Sequence, residues 1–150
     1  MKRILRYGAI VLVVLLVAIQ FVPVERSNPP VTGLVDAPED VLNTLQRSCW
    51  DCHSNETDWP WYAYVAPMSL RVTQHVRMGR QHVNFTEWDG YDAEDLDEAY
   101  EDIAEEMEKA GMPLSDYLLV HRDAKLTQAD RDRIASWADS ARKQIVVPGS

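Results

Sequence analysis

The chain has 150 residues, enough for one domain, and a formal net charge of −9 at pH 7. We expect no nucleic-acid partner, because phosphate binding requires a basic surface, whereas an acidic surface suits a basic protein partner or simple solubility. The chain contains only two cysteines, so the spacing between them is informative about their function.

The amino terminus has the composition of a membrane segment. Lys2, Arg3 and Arg6 precede residues 7–24, which carry no charged side chain. A bilayer core requires about 20 apolar residues, and a cleaved signal peptide has a shorter apolar region with a small-residue cleavage site. The sequence therefore predicts a cytoplasmic tip at residues 1–6 and a transmembrane anchor at residues 7–24, with a signal peptide as the alternative.

The distribution of basic residues predicts the orientation of the anchor, because such residues stay on the cytoplasmic side. We expect a single-pass protein of the bacterial cytoplasmic membrane, with all later residues on the periplasmic or extracytoplasmic side. Residues 25–35 contain two prolines, a glycine and several turn formers, a composition that predicts a linker. A domain at residues 36–145 and a tail at residues 146–150 follow.

Apolar periodicity in the domain predicts helices joined by loops. The first helix is expected to begin with a capping box of Asp36 and Glu39 and to end at the two cysteines. The second is expected from about residue 67 to residue 79. No strand pattern is present, so the predicted fold class is all-α.

The third and fourth predicted helices have clearer end signals. The third covers residues 91–110, and Gly111 is expected to close it. Its run of carboxylates is typical of a solvated helix face and also offers a docking surface to a basic partner. The fourth begins at Thr127, with Asp130 as its capping partner.

The motif Cys49-Trp50-Asp51-Cys52-His53 indicates the most specific chemistry in the chain. On one helical turn the two thiols face the same side, where each can add to a vinyl group of a porphyrin, and the adjacent imidazole can bind the iron. A thioredoxin-like redox pair requires a βαβ context, and structural zinc requires further ligands. The sequence therefore predicts one covalently attached haem c, held by Cys49 and Cys52, with His53 as an iron ligand.

A second iron ligand is expected because electron-transfer haems usually carry Met or His opposite the proximal histidine. Met112 is the first candidate, since it follows a helix end and precedes Pro113 in a loop that can reach over a haem face. His75, on the apolar side of the second helix, is the alternative. The order of helix, haem motif, middle helices, loop methionine and closing helix is that of small cytochromes c.

Further residues near the motif are candidates for the haem pocket. Aromatic rings can wall a haem crevice, and their polar atoms or neighbouring polar side chains can reach a propionate. Core packing, or a surface loop for the polar residues, is the alternative interpretation. The candidates are Trp59, Trp61, Tyr62, Arg80, Asn84 and Trp88.

Three stretches of the sequence resemble the bacterial haem-binding domain family. They are SCWDCHSNETDWPWYAYVAPMS, HVRMGRQHVNFTEW and MPLSDYLLVHRDAKLT, and a closing helix with a tryptophan follows them. The resemblance covers residues 35–140. It implies a small exported or membrane-anchored protein with a single covalent haem and a cytochrome c-like character, and it implies no substrate.

The leading functional hypothesis is one-electron transfer by a membrane-anchored mono-haem protein with redox partner proteins of basic surface. The alternative is a haem-based peroxidase, or a gas or redox sensor, with an open or displaceable sixth ligand. An electron carrier breaks no substrate bond, so we expect a haem-binding protein rather than an enzyme.

Overall fold

The structure is a computed structural model that describes residues 2–145. Within that range the chain is helical, and an isolated bridge between Gly33 and Glu87 is its only β-pairing. The all-α prediction is therefore confirmed. The predicted tail at residues 146–150 lies outside the described residues.

Helices of two kinds make up the described chain. The α-helices are α1 (Lys2–Ala18), α2 (Glu39–Ser48), α3 (Trp50–His53), α4 (Met68–His82), α5 (Ala93–Lys109) and α6 (Gln128–Arg142). Single turns of 3-10 helix are Ile19–Phe21, Trp61–Tyr64, Trp88–Gly90, Tyr117–Leu119 and Arg122–Ala124.

The first helix stands apart from the rest in its exposure. Together with the turn that follows it, α1 forms a continuous apolar helix over Lys2–Phe21, here called the apolar rod. No residue in its most apolar stretch is buried. Its 20 residues and mean hydropathy of 2.3 suffice to cross a bilayer. The rod is a candidate membrane span or signal sequence.

The helix ends follow local chemistry, with two differences from expectation. The predicted Asp36 cap is wrong, because α2 begins at Glu39 after Pro38, and no side chain caps it. The predicted role of Gly111 is also wrong, since Ala110 adopts the left-handed conformation (φ 52°) that ends α5. The Thr127–Asp130 capping box is confirmed, with each residue bonding the other's backbone N–H.

The hydrophobic core lies where α5 and α6 pack together and α2 packs against α6. Tyr100 on α5 meets the rings of Trp88 and Trp137 edge-on, with both centroid distances at 5.4 Å. Val41 and Leu45 bring the buried face of α2 onto this aromatic group. Burial of these large side chains is the main stabilising contribution to the domain.

Residues 25–35, predicted as a linker, lie along the domain in extended conformation. Val35 N donates to Phe85 O at 2.8 Å, and Trp88 N donates to Gly33 O at 3.2 Å. Arg80 adds bonds to Ser27 O at 2.9 Å and to the Asn28 side chain at 3.0 Å. The extended backbone is thus bonded to the loop after α4, rather than to solvent alone.

Candidate functional site

The two cysteines and the histidine lie on one short helical turn, as the sequence predicts. Cys49 ends α2, where its N–H donates to Leu45 O at 2.8 Å, and its carbonyl oxygen accepts from Cys52 N at 3.2 Å and His53 N at 3.0 Å. Both cysteines are free thiols. The turn holds the two sulfur-bearing residues and the imidazole as one unit.

Both thiols are strongly biased toward the protonated form. Burial, reinforced by the neighbouring Cys52, raises the pKa of Cys49 to about 12. Burial, together with the charge of Asp51, raises the pKa of Cys52 to about 11. A catalytic redox pair needs the opposite, a lowered thiol pKa, so this environment does not favour the thioredoxin-like alternative.

The His53 ring is fixed by a backbone carbonyl. Its Nδ1 lies 3.0 Å from Val83 O, and because a carbonyl oxygen only accepts, Nδ1 carries the proton. The Phe85 ring lies 5.9 Å away, centroid to centroid. Burial lowers the pKa of His53, which favours the neutral imidazole. The remaining nitrogen, Nε2, is then the one available to a metal.

A glycine brings α4 against the motif. A Cβ atom at Gly79 would overlap the carbonyl oxygen of Cys52, and the Cys52 Cβ atom would lie only 3.2 Å from it. Only a residue without a side chain permits this approach. The end of α4 thereby supplies both the close packing at Cys52 and the carbonyl that orients His53.

A cleft opens beside Cys52, between the motif, α4 and the loop after Asp116. Its walls are largely apolar, with Pro60, Val72 and Val76 among them. The side chains of greatest chemical interest around it are Cys52, Tyr62, Met68, His75, Tyr117 and His121. An apolar cleft with a few convergent polar groups is typical of a cofactor or ligand site.

A row of side chains, linked by two hydrogen bonds and one ring stack, runs from Asp51 of the motif along this cleft. Tyr117 donates its hydroxyl to Asp51 Oδ2 at 2.8 Å, and its ring stacks on His121 with centroids 4.2 Å apart. His121 Nε2 and the Tyr62 hydroxyl are hydrogen-bonded at 2.5 Å. Burial and the bond to Asp51 raise the pKa of Tyr117 far above its usual range. Sequence reasoning missed Tyr117 and Asp51; the Tyr-x-x-x-His spacing after Pro113 was the available signal.

The two candidates for the second iron ligand lie in different places. His75 lines the cleft together with Cys52. Met112 is half-buried and packs, as Cys49 does, against the hydrophobic core. Its carbonyl oxygen accepts from Arg131 Nη1 at 2.6 Å, which fixes the loop.

The aromatic pocket candidates lie in three settings, namely the cleft lining, the surface and the protein interior. Tyr62 lines the cleft, whereas Trp61 is 78% exposed and meets Tyr62 edge-on. Trp59 Nε1 is buried and has no hydrogen-bond partner among residues 2–145. Such a group usually has a partner, so this indole N–H is a donor available to a bound group.

The other pocket candidates lie away from the cleft lining. Arg80 donates to Ser54 O at 2.7 Å and to Thr57 Oγ1 at 2.9 Å, in addition to its bonds to residues 27 and 28. Asn84 is buried and donates to Asn55 Oδ1 at 2.9 Å. Trp88 belongs to the core. In the structure these three side chains hold loops and core together.

The donor set fits a covalently held haem better than a bare metal ion. Two protonated thiols and an imidazole with one free nitrogen share a turn, Cys52 of that turn lines an apolar cleft, and a buried indole N–H lacks a partner among residues 2–145. Across residues 2–145 the structure has no group of three or more His, Cys, Asp or Glu side chains placed to hold a metal ion. Structural zinc therefore has no ligand set in this part of the chain.

Comparison with known protein families matches residues 14–140 to the family described as "Haem-binding domain". The match includes the motif, the cleft and both candidates for the second ligand. Comparisons with curated proteins and with solved structures gave no match.

Proposed function

Because the chain belongs to the haem-binding domain family, we propose that it is a membrane-anchored, extracytoplasmic protein that carries one covalent haem c and transfers single electrons. The observation that carries the proposal is the turn of Cys49, Cys52 and His53, with the His53 ring oriented by Val83 O. A bound haem supplies a one-electron redox centre. The protein's contribution is attachment, iron ligation and control of the surroundings.

The roles of the motif residues follow from their chemistry. Cys49 and Cys52 would hold the haem, each by addition of its thiol S–H across one vinyl group, which forms a C–S bond, places the hydrogen on the neighbouring carbon and needs no oxidant. His53 would bind the iron through Nε2, and its Nδ1–H bond to Val83 O would make the imidazole a stronger and better oriented ligand.

Met112 is proposed as the second iron ligand, with His75 as the alternative. Support for Met112 is its loop position, its packing against the same core as Cys49 and the Arg131 bond that fixes its backbone. Support for His75 is its place on the cleft beside Cys52. Methionine opposite histidine raises a haem potential relative to two histidines, so this choice affects which partners can exchange electrons.

The proposed anchoring depends on the basic residues at the amino terminus, and the proposed partner depends on the acidic residues of α5. The apolar rod Lys2–Phe21 carries its basic residues, Lys2, Arg3 and Arg6, at its amino-terminal end, which favours a cytoplasmic amino terminus and a haem domain on the other side. The exposed carboxylates of α5 offer a surface for a basic redox partner. We propose that the haem-binding domain begins after residues 25–35.

A haem-based peroxidase or sensor is the second candidate function. The row of Asp51, Tyr117, His121 and Tyr62 beside Cys52 favours it, because acid–base groups near an open iron position are what such chemistry uses. An electron carrier needs a permanently occupied sixth position, whereas this alternative needs an open or displaceable one.

The test is a haem-stained denaturing gel followed by visible spectra of the oxidised and reduced protein, produced in a host that attaches haem c. We expect haem to survive denaturation in the parent chain and to be lost in the double variant Cys49→Ser, Cys52→Ser. A low-spin spectrum with a methionine-to-iron charge-transfer band supports the electron carrier. A high-spin spectrum with ready carbon monoxide binding supports the second candidate, and absence of retained haem contradicts both.

Three variants identify the second ligand. Met112→Ala is expected to remove the charge-transfer band, while His75→Ala keeps it. Met78→Ala, at an exposed position of α4, is the matched control and should behave as the parent. Loss of the low-spin spectrum in His75→Ala, with Met112→Ala unchanged, would assign the ligand to His75.

A further inference from the structure

The end of the apolar rod is hydrogen-bonded to the haem domain. The Gln20 side chain donates from Nε2 to Ala66 O at 3.1 Å and accepts at Oε1 from Ala66 N at 3.0 Å. Arg26 Nη1 donates to Ala63 O at 3.2 Å, and its guanidinium lies 4.6 Å from the centre of the Tyr64 ring. The chain from Trp61 to Met68 is therefore held beside the point where the rod ends.

The surface at this junction is apolar and exposed. Trp61 is 78% exposed and Phe21 is 81% exposed. Soluble surfaces rarely gather large apolar side chains in this way unless something covers them. We call the group the docking patch, and it consists of Phe21, Val22, Trp61, Tyr64, Val65 and Met68.

The docking patch shares a residue with the cleft beside Cys52. Met68 belongs to the patch and also lines the cleft. Val120 lines the same cleft and is 64% exposed, and its neighbour Leu119 is 74% exposed. Exposed apolar side chains from the docking patch and from residues 119–120 thus lie in the cleft lining or next to it.

We propose that the docking patch inserts into the headgroup region of the same membrane that α1 crosses, so that the cleft beside Cys52 opens toward the bilayer. This inference rests on the membrane anchoring proposed above. The occupant is the lipid surface because the membrane helix of the same chain ends at the patch and is bonded to it through Gln20. A second copy or a redox partner would have to displace a bilayer that is already adjacent.

The composition of the patch fits a lipid interface. Trp and Tyr are enriched where hydrocarbon meets headgroups, because their rings are apolar and carry one polar atom. Apolar side chains lying on one face at that depth are buried among headgroups and acyl chains. Arg26, stacked on Tyr64, places a positive charge at the same level, where lipid phosphates are its natural partners.

The test uses the full chain with haem attached and reduced, labelled with fluorotryptophan and placed in nanodiscs of phosphatidylcholine and phosphatidylglycerol. Fluorine NMR then reports each tryptophan, and Trp61→Phe assigns the Trp61 resonance. We expect a spin-labelled lipid to cause loss of the Trp61 resonance, while a gadolinium chelate in the water leaves it. Trp137, which is buried in the core, is the internal control and should keep its resonance with both agents.

A pair of variants tests the link to the membrane helix. Gln20→Ala removes the bonds to Ala66 and is expected to weaken the effect of the spin-labelled lipid on Trp61. Gln74→Ala, at an exposed position of α4, is the matched control and should leave that effect unchanged.

The outcomes separate this inference from the anchoring. Loss of the Trp61 resonance to the aqueous chelate, in protein that stays with the nanodiscs, overturns the docking and leaves the anchor in place. Protection from both agents means that a second copy or another protein covers the patch, which also overturns it. Protein that leaves the lipid fraction, or a mature chain that lacks residues 1–24, overturns the anchoring and the docking together.

Discussion

His53 and Val83 are joined by a hydrogen bond of 3.0 Å between Nδ1 and the carbonyl oxygen, across 30 positions of the chain. His53 belongs to the motif turn, and Val83 is the first residue after α4. The return bond from Phe85 N to His53 O, at 2.8 Å, closes the connection. The orientation of the proposed iron ligand therefore depends on the end of a helix that carries no part of the motif.

We expect His53→Ala to lose the low-spin spectrum, because the iron loses its proximal ligand while the two cysteines remain. The measurement is the visible spectrum of the purified protein, normalised to haem content. His82→Ala is the matched control, since His82 is an exposed histidine at the end of α4. A low-spin spectrum that persists in His53→Ala would show that another residue binds the iron on that side.

Gly79→Ala should destabilise the domain although alanine is the better helix former. The favourable propensity term is about 1 kcal/mol, whereas forcing a methyl group into a packed site typically costs about 1–3 kcal/mol. The overlap at this site is with the Cys52 backbone, which cannot rotate away as a flexible side chain can. Denaturant unfolding of the haem-loaded protein gives the change in stability.

The control for Gly79→Ala is Gly90→Ala, where the added carbon would have no atom within 4 Å beyond the adjacent residues of the chain. We expect that variant to unfold at the parent's denaturant concentration or slightly above it. If Gly79→Ala were as stable as Gly90→Ala and retained the same haem content, close packing of α4 on the motif would be shown to contribute neither to stability nor to haem retention.

Arg80→Met should expose the segment 25–35 to protease. The Arg80 guanidinium bonds Ser27 O and Asn28 Oδ1 on that segment and Thr57 Oγ1 on the domain, so its loss releases the segment locally. We expect faster tryptic cleavage after Arg26, and mass spectrometry of the digest measures its rate. Arg77→Met removes a trypsin site from the same helix at an exposed position and is the control. Equal cleavage rates in the two variants would mean that other bonds hold the segment.

Acid should weaken the pairing of α5 and α6 through Asp97. Arg142 Nε and Nη2 donate to the Asp97 carboxylate at 2.8 and 3.0 Å, and this bonding lowers the pKa of Asp97 from its usual 3.8. Because the folded-state pKa is the lower one, the stabilisation is complete above the unfolded-state pKa and is lost as pH falls through the folded-state pKa. The Asp97 side chain is 33% exposed and the pair is open to solvent, so the effect is modest and is reduced by salt.

Denaturant midpoints from neutral pH to below pH 3.8 test this expectation. We expect Asp97→Asn to lower the midpoint at neutral pH and to flatten its fall in acid. Glu98→Gln, at an exposed position of the same helix, should keep the parent's profile. A parallel acid limb in Asp97→Asn and the parent would assign the acid sensitivity to other carboxylates.

The parts of the site that could be predicted are those whose conformation is determined by residues close together in the sequence. Cys49, Cys52 and His53 share a turn because of their spacing alone, and Thr127 caps α6 through a residue three positions away. The predicted cap at Asp36 was wrong because the helix begins at Glu39, so that Pro38 rather than Asp36 directly precedes it. At the end of α5, Ala110 took the left-handed conformation although the neighbouring glycine could adopt it at less cost.

The sequence by itself determined the helical fold class, the apolar rod, the motif of residues 49–53 and the family, because each depends on composition or on spacings of a few residues. Only the tertiary structure decided what surrounds the motif. The partner of His53 is 30 residues away, that of Tyr62 is 59 away, and that of Gln20 is 46 away. Such pairs are selected by the packing of whole helices, where burial energy is gained by many side chains at once, so no local pattern specifies them.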